Sequence, residues 1–261
     1  MNKLINFSIS LIIILISFNV FAAASDDVKT SSSDFETTSI EDEIYDPFEG
    51  INRAIFSFNN TADRIILEPA AKGYRKLPSP LQSGIGNFLN NLKLPLAAVN
   101  QLLQGQGKNA AQSTGRFLIN STIGVFGLID VADNIGLEQK EEDFGQTLAK
   151  WGVGDGFYIV LPLFGPSNLR DSTGMVMTMI TDPVNAYAAS QGEGWAIPFR
   201  TAANAVDQRS QIIDEVNALR DNSVDYYAAV RSSYYQNRKA AIMNTDDDVL
   251  TPLPLISIEF E

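Results

Sequence analysis

IGVFGLIDVADNIGL (residues 123–137) is apolar and punctuated by glycine at positions 124, 127 and 136, and its apolar residues hold no helical phase. A second stretch, WGVGDGFYIVLPLFGP (residues 151–166), has the same character. Connections of this length are normally polar, because loops run over a wet surface. Two readings follow for these two. Either they are buried beneath helices, or they face something apolar that is not water.

The rest of the body, working outward, reads as short helices. Asp46-Pro47-Phe48-Glu49 has an acid at N-cap, proline at N1 and an acid at N3. Ile51, Ile55, Phe58, Ala62 and Ile65 follow on one helical face to about Leu67, and Pro69 is expected to close it. Phe48, Ile51, Ile55, Phe56 and Phe58 crowd together there, with Arg53 and Arg64 available to lipid phosphates, although any core helix shows the same pattern. Ser79-Pro80 opens a second helix, Pro95 a third, and residues 108–122 a fourth. Ser167 is expected to cap a helix over about 168–180, Asp182-Pro183 to start a short one, and two longer helices to cover about 200–220 and 223–243. Strand signals are thin; Phe157 to Leu161 is the best, ended by Pro162. The expected class is mainly α.

Composition narrows the function. The formal charge of −12 comes from the ends: residues 25–46 hold eight acids and one base, and residues 246–261 hold five acids and no base. The body, 47–245, has 18 acids against 17 bases. With no basic stripe, nucleic acid is not an expected partner. The 261 residues include no cysteine and no histidine. Disulfides, thiol- or imidazole-ligated metal sites and Ser-His or Cys-His catalysis are therefore excluded. The expectation is a protein that is not an enzyme, with no catalytic residue, no metal and no cofactor.

Residues 1–24 read as a signal peptide: a positive start at Lys3, an apolar run from Leu11 to Ile16, and small residues before a cut after Ala24, or after Ala22. The alternative is an uncleaved anchor, since Leu4 to Ala24 is nearly long enough to span. Residues 25–45 form an expected acidic flexible leader, 46–243 a helical domain, and 244–261 an acidic then apolar tail. With no thiol to acylate, a lipid anchor is not expected. No run of eighteen apolar residues follows the signal, so a membrane role would come through amphipathic helices lying in one leaflet.

Local motifs read modestly. Gly152 to Gly156 lacks the spacing of a phosphate loop and reads as turn glycines. Gly165-Pro166-Ser167 is not a nucleophile elbow. Glu141-Glu142-Asp143 lacks the alternating oxygen ligands of a calcium loop and reads as a solvated helix start. Asp130 and Asp133 either flank a polar path within the apolar loop or cap a local turn.

The words along this body resemble the MlaA (VacJ) family, outer-membrane proteins of Gram-negative bacteria that help maintain lipid asymmetry. They are YDPFEGINR (45–53), FSFN (56–59), PAAKGY (69–74), RFLIN (116–120), GLIDVA (127–132), EDFGQTL (142–148), WGVGDGFY (151–158), GPSNLRD (165–171) and SYYQNR (233–238). The resemblance covers about 45–240. Many members carry a lipobox cysteine, which this chain lacks.

The resemblance implies a ring-like arrangement of short amphipathic helices in the inner leaflet of the outer membrane, on the periplasmic side, with a Gly-rich apolar hairpin loop and a central amphipathic channel. It implies phospholipid removed from the outer leaflet and passed to a periplasmic carrier like MlaC, beside trimeric porins. Carried over by position, Ile123, Val125, Phe126, Leu128, Ile129, Asp130 and Ile135 would form the loop at the channel, with Phe48, Ile51, Ile55 and Phe58 near it. The physics of such a task is consistent with the composition. A two-chain phospholipid entering water bare would cost on the order of 20 kcal/mol. Its charged headgroup at the bilayer centre would cost at least about 3 kcal/mol. A passage with one polar and one apolar wall lowers both and needs no nucleophile. The alternative is a porin-associated scaffold that moves no lipid itself.

Overall fold

The structure, a computed structural model, describes residues 44–243. The signal segment, the leader up to residue 43 and the tail 244–261 lie outside the described residues. Helix α1 (Glu49–Ala62) passes through a π-helical turn (Asp63–Leu67) into α2 (Glu68–Tyr74). Then come α3 (Ser79–Asn91), α4 (Leu94–Leu103), α5 (Gly107–Thr122), the short α6 (Val131–Asn134) and α7 (Phe144–Lys150). A two-stranded antiparallel ribbon, β1 (Tyr158–Leu161) and β2 (Gly165–Asn168), precedes α8 (Leu169–Thr181) and α9 (Pro183–Ser190). The described part ends with α10 (Ala196–Gln211), α11 (Ile213–Asn222) and α12 (Tyr226–Met243). The mainly α class stands. No helix among the described residues is long and apolar enough to cross a membrane.

Five local expectations are corrected. Asp46 does not cap α1, which starts behind Phe48 without a side-chain cap. Its buried carboxylate instead accepts from Asn52 at 2.8 Å, from Arg231 at 2.9 Å and from the Tyr227 hydroxyl, so it ties the first helix to the last. Pro69 does not end the first helix. The Glu68 amide bonds back five residues to Asp63, and this wider turn shifts the register just where the proline lacks a donor. Ser167 lies in β2; the cap of α8 is Asn168, whose side chain accepts from the Asp171 amide at 2.7 Å. The expected helix over 200–220 breaks at Ile212. On a straight helix Arg209 and Arg220 would stand about 16 Å apart along the axis. The break lets both reach Asp63, at 2.8 and 2.7 Å. Finally, residues 141–143 are not a solvated start: Glu142 is buried, while Asp143 caps α7 and pairs with Arg238.

The ribbon shows how α1 is fixed. Ladder pairs run from Tyr158 with Asn168 to Leu161 with Gly165. The other edge of β1 is served by two asparagines of α1. Asn52 accepts from the Val160 amide at 2.9 Å and donates to the Tyr158 carbonyl at 3.1 Å. Asn59 repeats this with the Leu163 amide at 2.8 Å and the Leu161 carbonyl at 2.9 Å. Seven residues apart, the two amides lie on one face of α1 and stand in for a third strand.

The interior is unusual. Among the described residues, twelve hydrophobic residues are buried against eighteen polar or charged ones, so hydrogen bonds rather than grease organise the inside. The apolar centre is Tyr158, Val160 and Tyr227, with Ile55, Phe56, Tyr234 and Tyr235 packed on it. Elsewhere polar side chains join helices: Gln101 of α4 to Ser113 of α5 at 2.8 Å, and Asn100 of α4 to Thr147 of α7 at 2.9 Å. Large apolar side chains are meanwhile exposed along α1, α3, α4, α8 and α10. Buried polar and exposed apolar groups are the informative departures from a water-soluble pattern.

Candidate functional site

The apolar loop between α5 and α6 is built by its glycines and by one carboxylate. A Cβ on Gly124 would lie 2.2 Å from the Ile129 carbonyl, and one on Gly127 would lie 2.7 Å from Asn91 Nδ2. Gly127 also takes φ +90°. Between them Val125 and Phe126 hold φ of 53° and 59°, a region that a β-branched or bulky residue enters only at a cost of about 1–3 kcal/mol. Amides of Phe126, Gly127 and Ile129 reach Ser121, Asn120 and Gly124 at 3.2, 2.8 and 2.9 Å, which keeps the backbone satisfied. At the loop's far side Asp130 caps α6 through the Asp133 amide and accepts from Asn120 and Arg116 at 2.9 and 2.6 Å. Of the two roles read for Asp130, capping is the one seen.

This backbone turns its apolar side chains outward. Ile123, Val125, Phe126, Leu128, Ile129 and Ile135 are all exposed, Phe126 at 77%. Val125, Leu128 and Ile129 lie beside Pro80, Leu81, Gly84 and Ile85 of α3 around an apolar groove of about 290 Å³. The α1 group is seated elsewhere. Phe48, Ile51 and Phe58 are exposed, and Phe48 meets Phe157 edge-on at 5.2 Å. Ile55 turns inward against the Tyr158 cluster. Arg53 is not available to phosphates, because Glu49 and Asp225 hold it at 2.7 and 2.6 Å.

Sequence reading missed a cavity of about 1230 Å³, above the roughly 300–1,000 Å³ of small-molecule sites. Its polar side comes from Asp133 and the connection 138–143, together with Asn90. Its apolar side comes from Ile212, Val216 and Leu219, one face at the start of α11 and along it, and from Val230, Ala240 and Ala241 of α12. The usable signal was the polar run 138–143 next to apolar spacing in 212–219. No motif marks either as half of one wall.

Electrostatics at this cavity are governed by Arg238. It pairs with Asp143 at 2.6 Å and with Asp171 at 2.7 Å, and Tyr234 donates to Asp171 at 2.5 Å. Burial alone would raise both carboxyls; Arg238 outweighs it at Asp143, and Arg170 at 2.9 Å together with Arg238 outweighs it at Asp171, so both are held below the usual range. Glu142, behind the wall, is pushed up by burial despite a 2.8 Å bond from Gln104. Among the described residues no group of three or more His, Cys, Asp or Glu could hold a metal.

Comparisons with known proteins agree with this architecture. The family model described as MlaA lipoprotein matches residues 44–241. An uncharacterized protein of Rickettsia bellii is 38% identical over 202 residues, which is 77% of this chain and 78% of its own. The intermembrane phospholipid transport system lipoprotein MlaA of Haemophilus influenzae is 37% identical over 199 residues, 74% of this chain and 77% of that one. A solved structure described as the structural basis for maintenance of bacterial outer membrane lipid asymmetry aligns with a TM-score of 0.67 at 36% identity, over 76% of this chain and 98% of that one. With the family's model spanning nearly every described residue, this chain belongs to the MlaA lipoprotein family.

Proposed function

We propose that this protein moves phospholipid without chemical catalysis: it takes mislocalised phospholipid from the outer leaflet of the outer membrane and passes it to a periplasmic carrier of the MlaC kind. The supporting observation is the amphipathic cavity of about 1230 Å³, polar on the 138–143 side and apolar on the α11 side. Such walls match a molecule with a charged head and hydrocarbon tails. The exposed apolar loop residues, Leu128 and Ile129 among them, are the proposed contact for those tails, with Ile123, Val125, Phe126 and Ile135 beside them and the carboxylate of Asp130 at the polar edge. Phe48, Ile51 and Phe58 would meet lipid along α1, and Ile55 would support them from behind.

In this reading the helices lie in the inner leaflet, arranged around the passage beside a trimeric porin, with exposed apolar faces providing the attachment. Residues 46–243 would be the working domain, after a signal segment (1–24) and an acidic leader (25–45), and before the tail (244–261).

Leu128→Asp or Ile129→Asp tests the transfer role. Outer-leaflet phospholipid is expected to rise while porin co-purification persists. Unchanged lipid distribution with porin binding lost would establish a scaffold instead, and release of lysophospholipid by the purified protein would contradict the absence of catalysis. Washing membranes with high salt and then carbonate tests the attachment, since full release would refute it.

A further inference from the structure

Three residues of α5 at i, i+4 and i+8 form a line of straps across the chain that follows it. Gln112 Nε2 donates to the Glu138 carbonyl at 2.8 Å. Arg116 donates through Nη1 to the Leu137 carbonyl and through Nη2 to Asp130 Oδ2 at 2.6 Å, with Gln139 Oε1 at 3.5 Å. Asn120 donates to Asp130 Oδ1 at 2.9 Å and accepts from the Ala132 amide at 2.9 Å. Positions on one helix face are thus tied, in antiparallel order, to the following segment from 138 back to 130.

Arg116 sits at the centre of this line and is 1% exposed. Its planar fork serves two different surfaces. Asp130 closes the apolar loop, while Leu137 immediately precedes Glu138 and Gln139, which line the cavity. A guanidinium offers donors at fixed angles, whereas a lysine is a point charge on a flexible stem. Only the former can hold both acceptors at a set spacing.

We infer that Arg116 is a positioning residue: it fixes the distance between the apolar loop (123–129) and the polar wall (138–143), so that tails and headgroup of one lipid meet both at once. This rests on the transfer reading above. Removing the fork leaves loop and wall individually intact and uncouples them.

The chain contains no cysteine, so Phe126→Cys with Glu138→Cys gives two unique sites for spin labels. Distances between them, measured on the full chain in detergent, are expected to form one narrow distribution. Arg116→Lys is expected to broaden it, with far-UV circular dichroism unchanged. In the unlabelled Arg116→Lys protein, phospholipid retained on purification, read by mass spectrometry, is expected to fall roughly threefold or more. A narrow, unshifted distribution in folded Arg116→Lys would overturn the inference, and so would an unchanged lipid load. Should Arg116→Lys fail to fold, Asp130→Asn, which removes the charged acceptor on the loop side of the Arg116 fork, decides by the same two readouts: a broader distribution supports the coupling and an unchanged one refutes it. If the unsubstituted protein carries no phospholipid, the transfer reading fails, while the distances still judge the spacing role of Arg116.

Discussion

Asn52 Oδ1 stands 2.9 Å from the amide of Val160, 108 positions away in sequence, and a single side-chain amide thereby completes the edge of a β-strand. Its Nδ2 serves both the Tyr158 carbonyl and Asp46, so that one 1%-exposed residue joins the first helix, the ribbon and the segment preceding them. Asn52→Ala leaves a buried amide and a buried carbonyl unpaired and is expected to cost about 3 kcal/mol. Asn59→Ala, whose partner Leu163 is exposed to water, is expected to cost about 1 kcal/mol. Denaturant unfolding in detergent, followed by near-UV circular dichroism, measures both; equal losses would contradict the strand-edge role.

Gly127→Ala combines a φ of +90° with a Cβ set against Asn91, whereas Gly136→Ala has φ +79° and open space around it. The second change is expected to cost about 1 kcal/mol. The first also displaces Asn91 from Ser121 and is expected to cost about 2–3 kcal/mol and to reduce the phospholipid retained on purification. Thermal melts and lipid mass spectrometry on the two variants separate backbone strain from loop displacement.

Arg238 is the strongest electrostatic link from α12 to the start of α7 and of α8. Arg238→Gln takes from Asp143 the arginine it pairs with and leaves Asp171, itself 9% exposed, with Arg170 alone at 2.9 Å, and a cost of about 2 kcal/mol is expected. Lys at this position is expected to recover only part of that, because the arginine bonds Asp143 through two nitrogens. The order of unfolding midpoints among parent, Lys and Gln variants checks it.

Stability should depend on pH in opposite senses on the two sides of the cavity wall. The depressed carboxyls of Asp143 and Asp171 stabilise the fold above the ordinary carboxylate pKa of about 4, and this is lost as pH falls through their lower folded values. Glu142, raised by burial, favours the fold when protonated, and that contribution is lost as pH rises through its folded value. Asp143→Asn should therefore flatten the acid limb of a plot of midpoint against pH. Glu142→Gln should gain on the parent at pH 8 and not at pH 4. The same gain at both would refute the assignment to Glu142.

Helix boundaries at Ser79-Pro80, Pro95 and Asp182-Pro183 were legible because capping and proline geometry act within one turn, and the helices begin there. The apolar loop was legible for the same reason: its glycines declare a backbone that no side chain permits. The second strand, GPSN, was not, since nothing in those four residues favours extension without β1 to pair with. The break at Ile212 was equally silent, because its cause is Asp63, a carboxylate about 150 residues earlier.

By itself, then, the sequence determined a mainly helical chain with two apolar, glycine-punctuated connections and no histidine or cysteine for catalysis, because composition and short-range spacing carry that information. Tertiary structure alone decided that polar side chains fill the interior, that residues 138–143 face α11 and α12 across a cavity, and that Arg116 straps loop to wall. Each of these is a meeting of groups far apart in the chain. Hydrogen bonds and ion pairs form wherever folding brings donor to acceptor, and local periodicity keeps no record of them.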